Sequence, residues 1–439
     1  MFQEDESFER RSRGSHLVRF SALCLMMGAL LGVGCDMPPL PGSPDGPGQG
    51  QEPPPGNGDG SGNGPTPGGC ARLPLASTPA SLQGFGSRGP YGFATRNIVF
   101  VDSSRPTAPN RTFPGAPQRT LPTRIYYPVC PPDTNASPPP DDRIPVASGG
   151  PFPLLAYAHG LTSLGDTARH VTEHLATHGY IIVAPLFPLT NRNAPGGPTF
   201  EDAANQPEDL AFVMRQVAQL TGANADLGGA VDTRRRALLG FSLGGMTTLI
   251  AAYHPILALD GIQAAVAQAP AITCILGPAF FARPLPTLII SGTADELVPI
   301  SGPERVFSLA PPPVILVELL GGTHSGFMNR EAPFLENTDT PECQALLDSG
   351  ATGGPDAPNS RFADDLRRGA GPGVIEPAGC TPLCSQRFTQ TMGATRQLLL
   401  VRAATLAHFE ATLRNRWDAK WFLSEQLEEE PDVDVFVKK

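Results

Sequence analysis

Gly240-Phe241-Ser242-Leu243-Gly244 sets a serine between two glycines at the spacing G-x-S-x-G. A serine on a tight strand-to-helix turn projects its hydroxyl clear of the backbone, and the flanking Gly240 and Gly244 leave room for that strained turn. Arg236 to Leu239 reads as a short buried strand, and Met246 to Ala252 has helical composition. The first amides of such a helix face the place where a substrate oxygen gains negative charge. The chemistry implied is attack by the Ser242 hydroxyl on an acyl carbon.

A serine hydroxyl is a weak nucleophile near neutral pH, so it needs a base, and the base needs a group to orient it. After a turn of this kind the acid comes next in the chain and the histidine last, each on a loop that follows a strand. Leu285-Pro-Thr-Leu-Ile-Ile-Ser-Gly-Thr-Ala-Asp295 supplies a strand, a small-residue turn and an acid, with Glu296 as the competing carboxylate. Val314-Ile-Leu-Val-Glu-Leu-Leu-Gly-Gly-Thr-His324 supplies the last strand, a glycine turn and the histidine; none of the other histidines follows a late strand. An oxyanion requires two backbone N–H groups. Leu243 offers one. The loop Ala158-His159-Gly160-Leu161-Thr162 offers the second at Leu161, with Gly160 allowing close backbone approach. His159 precedes the nucleophile and reads as a loop-positioning residue.

Other clusters carry less. His170, His174 and His178 recur at i, i+4 and i+8, yet no carboxylate or cysteine completes a metal spacing, so they read as a polar helix face. Cys380-x3-Cys384 lacks a second close pair and a histidine. No metal site is expected. Trp417 and Trp421, spaced i, i+4, read as packing residues.

These groups need a scaffold. Arg96 to Asp102 and Arg119 to Tyr127 are strand-like with no helix between, which predicts an antiparallel edge. From Phe152 onward apolar strands (Phe152–Ala158, Tyr180–Pro185, Arg236–Leu239, Gly261–Gln268, Leu285–Ser291, Val314–Leu320) interleave with helical stretches at Thr167–His178, Pro207–Leu220 and after Ser242. That alternation predicts an α/β fold: a mostly parallel sheet covered by helices on both faces. Residues 325–385 are rich in Pro, Gly, Asp and Asn and predict a loop-rich insertion near the active-site face, with a lid as one reading. Phe388 to Trp417 predicts one long helix, Ala419 to Leu427 a shorter one, and residues 428–439 a frayed tail. The catalytic domain is placed at residues 71–427.

Composition bounds the rest. The chain has 439 residues, 40% of them hydrophobic, and a net charge of -10 with no dense Lys/Arg stretch, which argues against nucleic-acid binding. Residues 1–34 read as an export signal: Arg10, Arg11, Arg13 and Arg19 precede the apolar run Phe20 to Val33, too short for a comfortable membrane span. The run ends at Cys35, a candidate lipidated first residue, which predicts a membrane-anchored protein on the periplasmic or outer cell surface, or otherwise a secreted one. Residues 35–70 are Pro/Gly-rich and read as a disordered spacer. In an exported chain Cys70, Cys130, Cys274, Cys343, Cys380 and Cys384 could pair; Cys70 with Cys130, and Cys343 with Cys380 or Cys384, are the pairings expected.

Taken with Gly89-Pro-Tyr-Gly92, Val101-Asp-Ser-Ser-Arg105, Arg119-Thr-Leu-Pro122, Ile125-Tyr-Tyr-Pro128, His159-Gly160, Ser291-Gly-Thr-Ala-Asp295 and Gly322-Thr-His-Ser-Gly-Phe327, the chain resembles the bacterial serine-dependent α/β-hydrolases of the predicted dienelactone hydrolase group. That group is related to platelet-activating-factor acetylhydrolase and, more distantly, to cutinase-like polyester hydrolases. The resemblance implies hydrolysis of carboxylic esters, small or lipid-like, with no metal or organic cofactor. It assigns the triad to Ser242, Asp295 and His324 and the oxyanion amides to Leu161 and Leu243. A peptidase or thioesterase on the same triad, or a non-catalytic surface binding protein of the same fold, are the competing readings.

Overall fold

The computed structural model describes residues 78–131, 144–165, 167–329, 338–348, 360–376 and 380–439. The stretches read above as an export signal and a spacer, with Cys35 and Cys70, lie outside them. The described strands form one sheet: β1 (Gly92–Asp102), β2 (Arg119–Val129), β3 (Phe152–Ala158), β4 (Ile181–Pro185), β5 (Val231–Phe241), β6 (Ala264–Gln268), β7 (Thr287–Gly292), β8 (Val314–Leu319) and β9 (Val433–Lys438). The spatial order is β1-β2-β4-β3-β5-β6-β7-β8-β9. β3 to β8 run parallel, while β1 and β2 form the expected antiparallel edge. The helices are α1 (Leu82–Gly86), α2 (Arg169–Thr177), α3 (Gln206–Ala218), α4 (Ala225–Gly229), α5 (Leu243–Tyr253), α6 (Ser301–Leu309), α7 (Thr340–Asp348), α8 (Arg361–Arg367), α9 (Ala394–Leu413) and α10 (Trp417–Trp421).

Alternation within each strand sends its side chains into two cores. Leu154, Ala156 and Ala158 of β3 join Leu210, Val213 and Met214 of α3 and Met246, Leu249 and Ile250 of α5 on one face. Leu155 and Tyr157 join Val171 and Leu175 of α2 and Leu400, Val401 and Phe409 of α9 on the other. Covered on both faces, β3 buries every residue, as central parallel strands do. Truncating a fully buried leucine such as Leu155 removes about 2–5 kcal/mol.

The structure departs from the sequence reading at several points. Residues 428–439 are not a frayed tail: Val433–Lys438 is β9, which pairs antiparallel with β8 from Val433↔Leu319 to Val314↔Lys438. The helix α6 between β7 and β8 was not foreseen. The helix expected over Phe388–Trp417 is shorter, spanning Ala394–Leu413. Trp417 and Trp421 do not pack; they are 78% and 47% exposed, because α10 turns Ala419 inward and the following Phe422 and Leu423 fill the core. Among the described residues of the expected loop-rich insertion are two short helices, α7 and α8. Two disulfides tie it down, Cys343–Cys384 as one of the expected alternatives and Cys274–Cys380, which was not expected. Cys130 is disulfide-bonded, and its expected partner Cys70 lies outside the described residues.

Candidate active site

β5 ends at Phe241 and α5 begins at Leu243, so Ser242 is the entire turn. Its φ of 56° and ψ of -120° are strained for a side-chain-bearing residue. The surrounding backbone holds it there: the Ser242 N–H donates to Gln268 O (2.9 Å), and Ser242 O accepts from Ala271 N–H (3.1 Å) and Met246 N–H (3.1 Å). The glycines are required by close approach. A Cβ on Gly240 would lie 2.0 Å from Gly244 O, and one on Gly244 would lie 2.0 Å from Ala158 O.

The turn brings Ser242 Oγ to 3.0 Å from His324 Nε2, and His324 Nδ1 lies 2.8 Å from Asp295 Oδ2. A carboxylate only accepts, so Nδ1 carries the proton and Nε2 is left to accept from the serine hydroxyl. Asp295 Oδ1 accepts from the N–H groups of Leu297 (3.0 Å) and Val298 (2.6 Å), which fixes the carboxylate plane. All three sequence candidates therefore meet. Burial disfavours a charged His324, yet the charge and hydrogen bond of Asp295 raise its pKa above the ordinary 6.5. Burial pushes the Asp295 carboxyl up, against the pull of His324. Glu296, the competing acid, points elsewhere: its carboxylate pairs with Arg387 Nη1 (2.5 Å) and accepts from Phe388 N–H (3.3 Å).

The loop after β3 abuts the serine; a Cβ on Gly160 would come 3.3 Å from Ser242 Cβ. Leu161 is exposed on this loop, and Leu243 is the first residue of α5, whose N–H has no intrahelical acceptor. His159 is fully buried. Its Nε2 accepts from Phe187 N–H (3.1 Å) and its Nδ1 donates to Gly160 O (2.8 Å), so it joins the loop after β3 to the loop after β4. Burial lowers its pKa to about 4, which keeps it neutral in that bridging role. Gln206 completes the frame: Thr247 of α5 donates to its Oε1, and its Nε2 donates to Thr190 Oγ1 (3.0 Å), while Thr190 O accepts from Thr162 N–H (2.8 Å).

Sequence reasoning missed the residues that hold the histidine loop. Gln397 of α9 accepts from Thr323 N–H (3.1 Å) and donates to Thr323 O (2.8 Å). Asp339, just before α7, accepts from His324 N–H (2.9 Å), Ser325 N–H (2.7 Å) and Glu296 N–H (3.1 Å). Neither residue sits in a recognisable motif. The three histidines of the 170–178 stretch each bond a different backbone carbonyl through Nε2: His170 that of Phe327, His174 that of Phe85 and His178 that of Ser87. His170 thereby steadies the segment after His324.

Sheet, strand-to-helix turn and the order of the three residues define an α/β-hydrolase fold. The family model described as "PETase: PET hydrolase-like" matches residues 143–326, a span that contains Ser242, Asp295 and His324. Chlorophyllase-1 of Arabidopsis thaliana is 30% identical over 143 residues, which cover 32% of this chain and 41% of that protein. The chain thus spans about two-fifths of the length of the curated relative it matches. A solved ferulic acid esterase from Streptomyces cinnamoneus superposes with a TM-score of 0.48 at 19% identity, over 79% of this chain and 96% of that one.

Proposed function

We propose that the protein is a serine hydrolase of carboxylic esters. The observation that carries this reading is the hydrogen-bonded line from Ser242 Oγ through His324 to Asp295, with the serine on a strained turn at the head of α5. Ser242 attacks the ester carbonyl as His324 Nε2 takes its proton. The Leu161 and Leu243 N–H groups stabilise the oxyanion, and Asp295 stabilises the imidazolium. His324 returns the proton to the departing alcohol. Water then attacks the acyl carbon as the same Nε2 takes its proton, and that proton passes to Ser242 Oγ as the acyl–serine bond breaks and the acid leaves. The match to a PET hydrolase-like family model and the similarity to a chlorophyllase support esters over amides. The proposal includes export and tethering through Cys35, supported by the signal-like 1–34 stretch and the spacer behind it.

The test is hydrolysis of p-nitrophenyl esters from acetate to palmitate by the purified protein, together with fluorophosphonate labelling. Turnover and labelling that both vanish in Ser242→Ala support the proposal. A folded protein that neither turns over esters nor takes the label refutes it.

A further inference from the structure

We propose that Asp339 is a positioning residue of the esterase centre, a buried carboxylate that holds the outer parts of the acid loop and the base loop in one register. This rests on the esterase reading above and deepens it. Asp295 and His324 follow different strands, β7 and β8, and their side chains must hold a 2.8 Å hydrogen bond while Nε2 stays 3.0 Å from Ser242. A displacement of about 1 Å at such a contact costs on the order of 10²-fold in rate. The roots of the two loops are joined by Ala294 N–H to Gly322 O (2.9 Å), but the stretches that carry Glu296 and His324 need an anchor further out.

Asp339 supplies it. Its Oδ2 accepts from Glu296 N–H on the acid loop and from His324 N–H on the base loop, and its Oδ1 accepts from Ser325 N–H. The side chain is 1% exposed. A buried carboxylate facing backbone donors makes charge-assisted bonds, which are shorter and stronger than neutral ones. Asp339 touches no reacting atom, so its effect passes through the loops it holds.

The insertion fastens Asp339 in turn. Cys343 N–H, one turn into α7, donates to Asp339 O (2.9 Å), and Cys343 is disulfide-bonded to Cys384. Cys384 N–H donates to Glu296 O (2.7 Å). Chain and disulfide thus close a ring that leaves the acid loop at Glu296, passes through Cys384, Cys343 and Asp339, and returns to Glu296 and to His324. Three carboxylates act on His324, those of Asp295, Asp339 and Glu342, and each favours its charged form.

The experiment measures kcat, KM, the pH profile and the unfolding midpoint of wild type, Asp339→Ala, Asp339→Asn, the double variant Cys343→Ser/Cys384→Ser, and the combination of that double variant with Asp339→Ala. The expectation for Asp339→Ala is a kcat lower by about 10- to 100-fold with KM within about 3-fold. Asp339→Asn keeps one acceptor oxygen and the size but loses the charge. It is expected to lose less kcat, and its acid limb moves to lower pH. The cysteine variant gives part of the Asp339→Ala loss, and combining the two adds little, because both act through one anchor. The proposal is overturned if the Asp339 variants keep wild-type kcat, if the acid limb of Asp339→Asn does not move, or if both Asp339 variants fail to fold, since the role is then structural alone. An inactive wild type removes the esterase reading itself and is a separate result.

Discussion

The turn at Ser242 and the loops at Asp295 and His324 hold parts of one site by different means. The turn is held by backbone: three main-chain hydrogen bonds to Ser242 and two glycines whose missing Cβ atoms let strand, helix and the loop after β3 touch. The acid and base loops share main-chain bonds at their roots, Thr293 N–H to Leu319 O (3.0 Å) and Ala294 N–H to Gly322 O (2.9 Å), but beyond these they depend on side chains from outside both loops, Asp339, Gln397 and His170. A nucleophile's position is fixed by local sterics and tolerates little. In the proposed mechanism the base becomes charged and neutral again twice per turnover, and it sits where a few buried polar groups set its place and its basicity.

Perturbations on the two sides should separate accordingly. The largest expected effect is Asp295→Asn, which leaves the loop in place but presents the wrong partner to Nδ1; kcat for p-nitrophenyl acetate should fall by about 10⁴-fold. Retention of more than a tenth of wild-type rate would transfer the orienting role away from Asp295. On the backbone side, Gly244→Ala forces a Cβ against Ala158 O. It should cost about 1–3 kcal/mol or more in denaturant unfolding and over 10²-fold in activity; an unchanged midpoint would show that the turn has slack. The pH profile probes the charge side. Only neutral His324 can take the serine proton, so activity is full above its folded pKa and is lost as pH falls through it. Because that pKa is raised above 6.5, the acid limb of kcat/KM should have its midpoint above 6.5. A midpoint below that value would mean burial outweighs Asp295. The smallest effect belongs to Glu296→Gln, which weakens the pair with Arg387 while the Glu296 backbone keeps its bonds to Asp339 and Cys384. It should cost about 1–3 kcal/mol of stability with activity within a few-fold, and a 10³-fold loss would reopen the choice of acid.

That contrast also explains what could be read from the sequence. The G-x-S-x-G turn is a local steric problem, and its five residues state it in full. The parallel strands announce themselves as continuous apolar runs, and Asp295 and His324 follow from the ends of two of them. Asp339 could not be read this way. An aspartate in a Pro/Gly-rich segment looks like a turn residue until the fold carries it back to two loops that follow neighbouring strands. Cys274 pairs with Cys380 across 106 residues, and spacing contains no trace of that. β9 was hidden by its surroundings: Val433, Val435 and Val437 alternate as a strand should, but they follow the acidic, proline-bearing stretch at residues 428–431. Its order comes from pairing with β8, a tertiary effect that overrides local composition. The exposed Trp pair is a similar lesson, since aromatic identity alone does not decide which helix face turns inward.

The last strand has a consequence for how the molecule behaves in company. β9 lies along β8, the strand whose end leads to His324, and Lys438 Nζ reaches the carbonyls of Ser308 (2.8 Å) and Ala310 (3.0 Å) at the end of α6. Without residues 430–439, β8 would present an unpaired row of N–H and C=O groups along a strand of Val, Ile and Leu, the kind of edge that recruits a strand from a neighbouring molecule. Residues 433–438 therefore move the edge of the sheet from the apolar β8 to β9, where Asp434 and Lys438 put charges along it, the composition that discourages edge pairing.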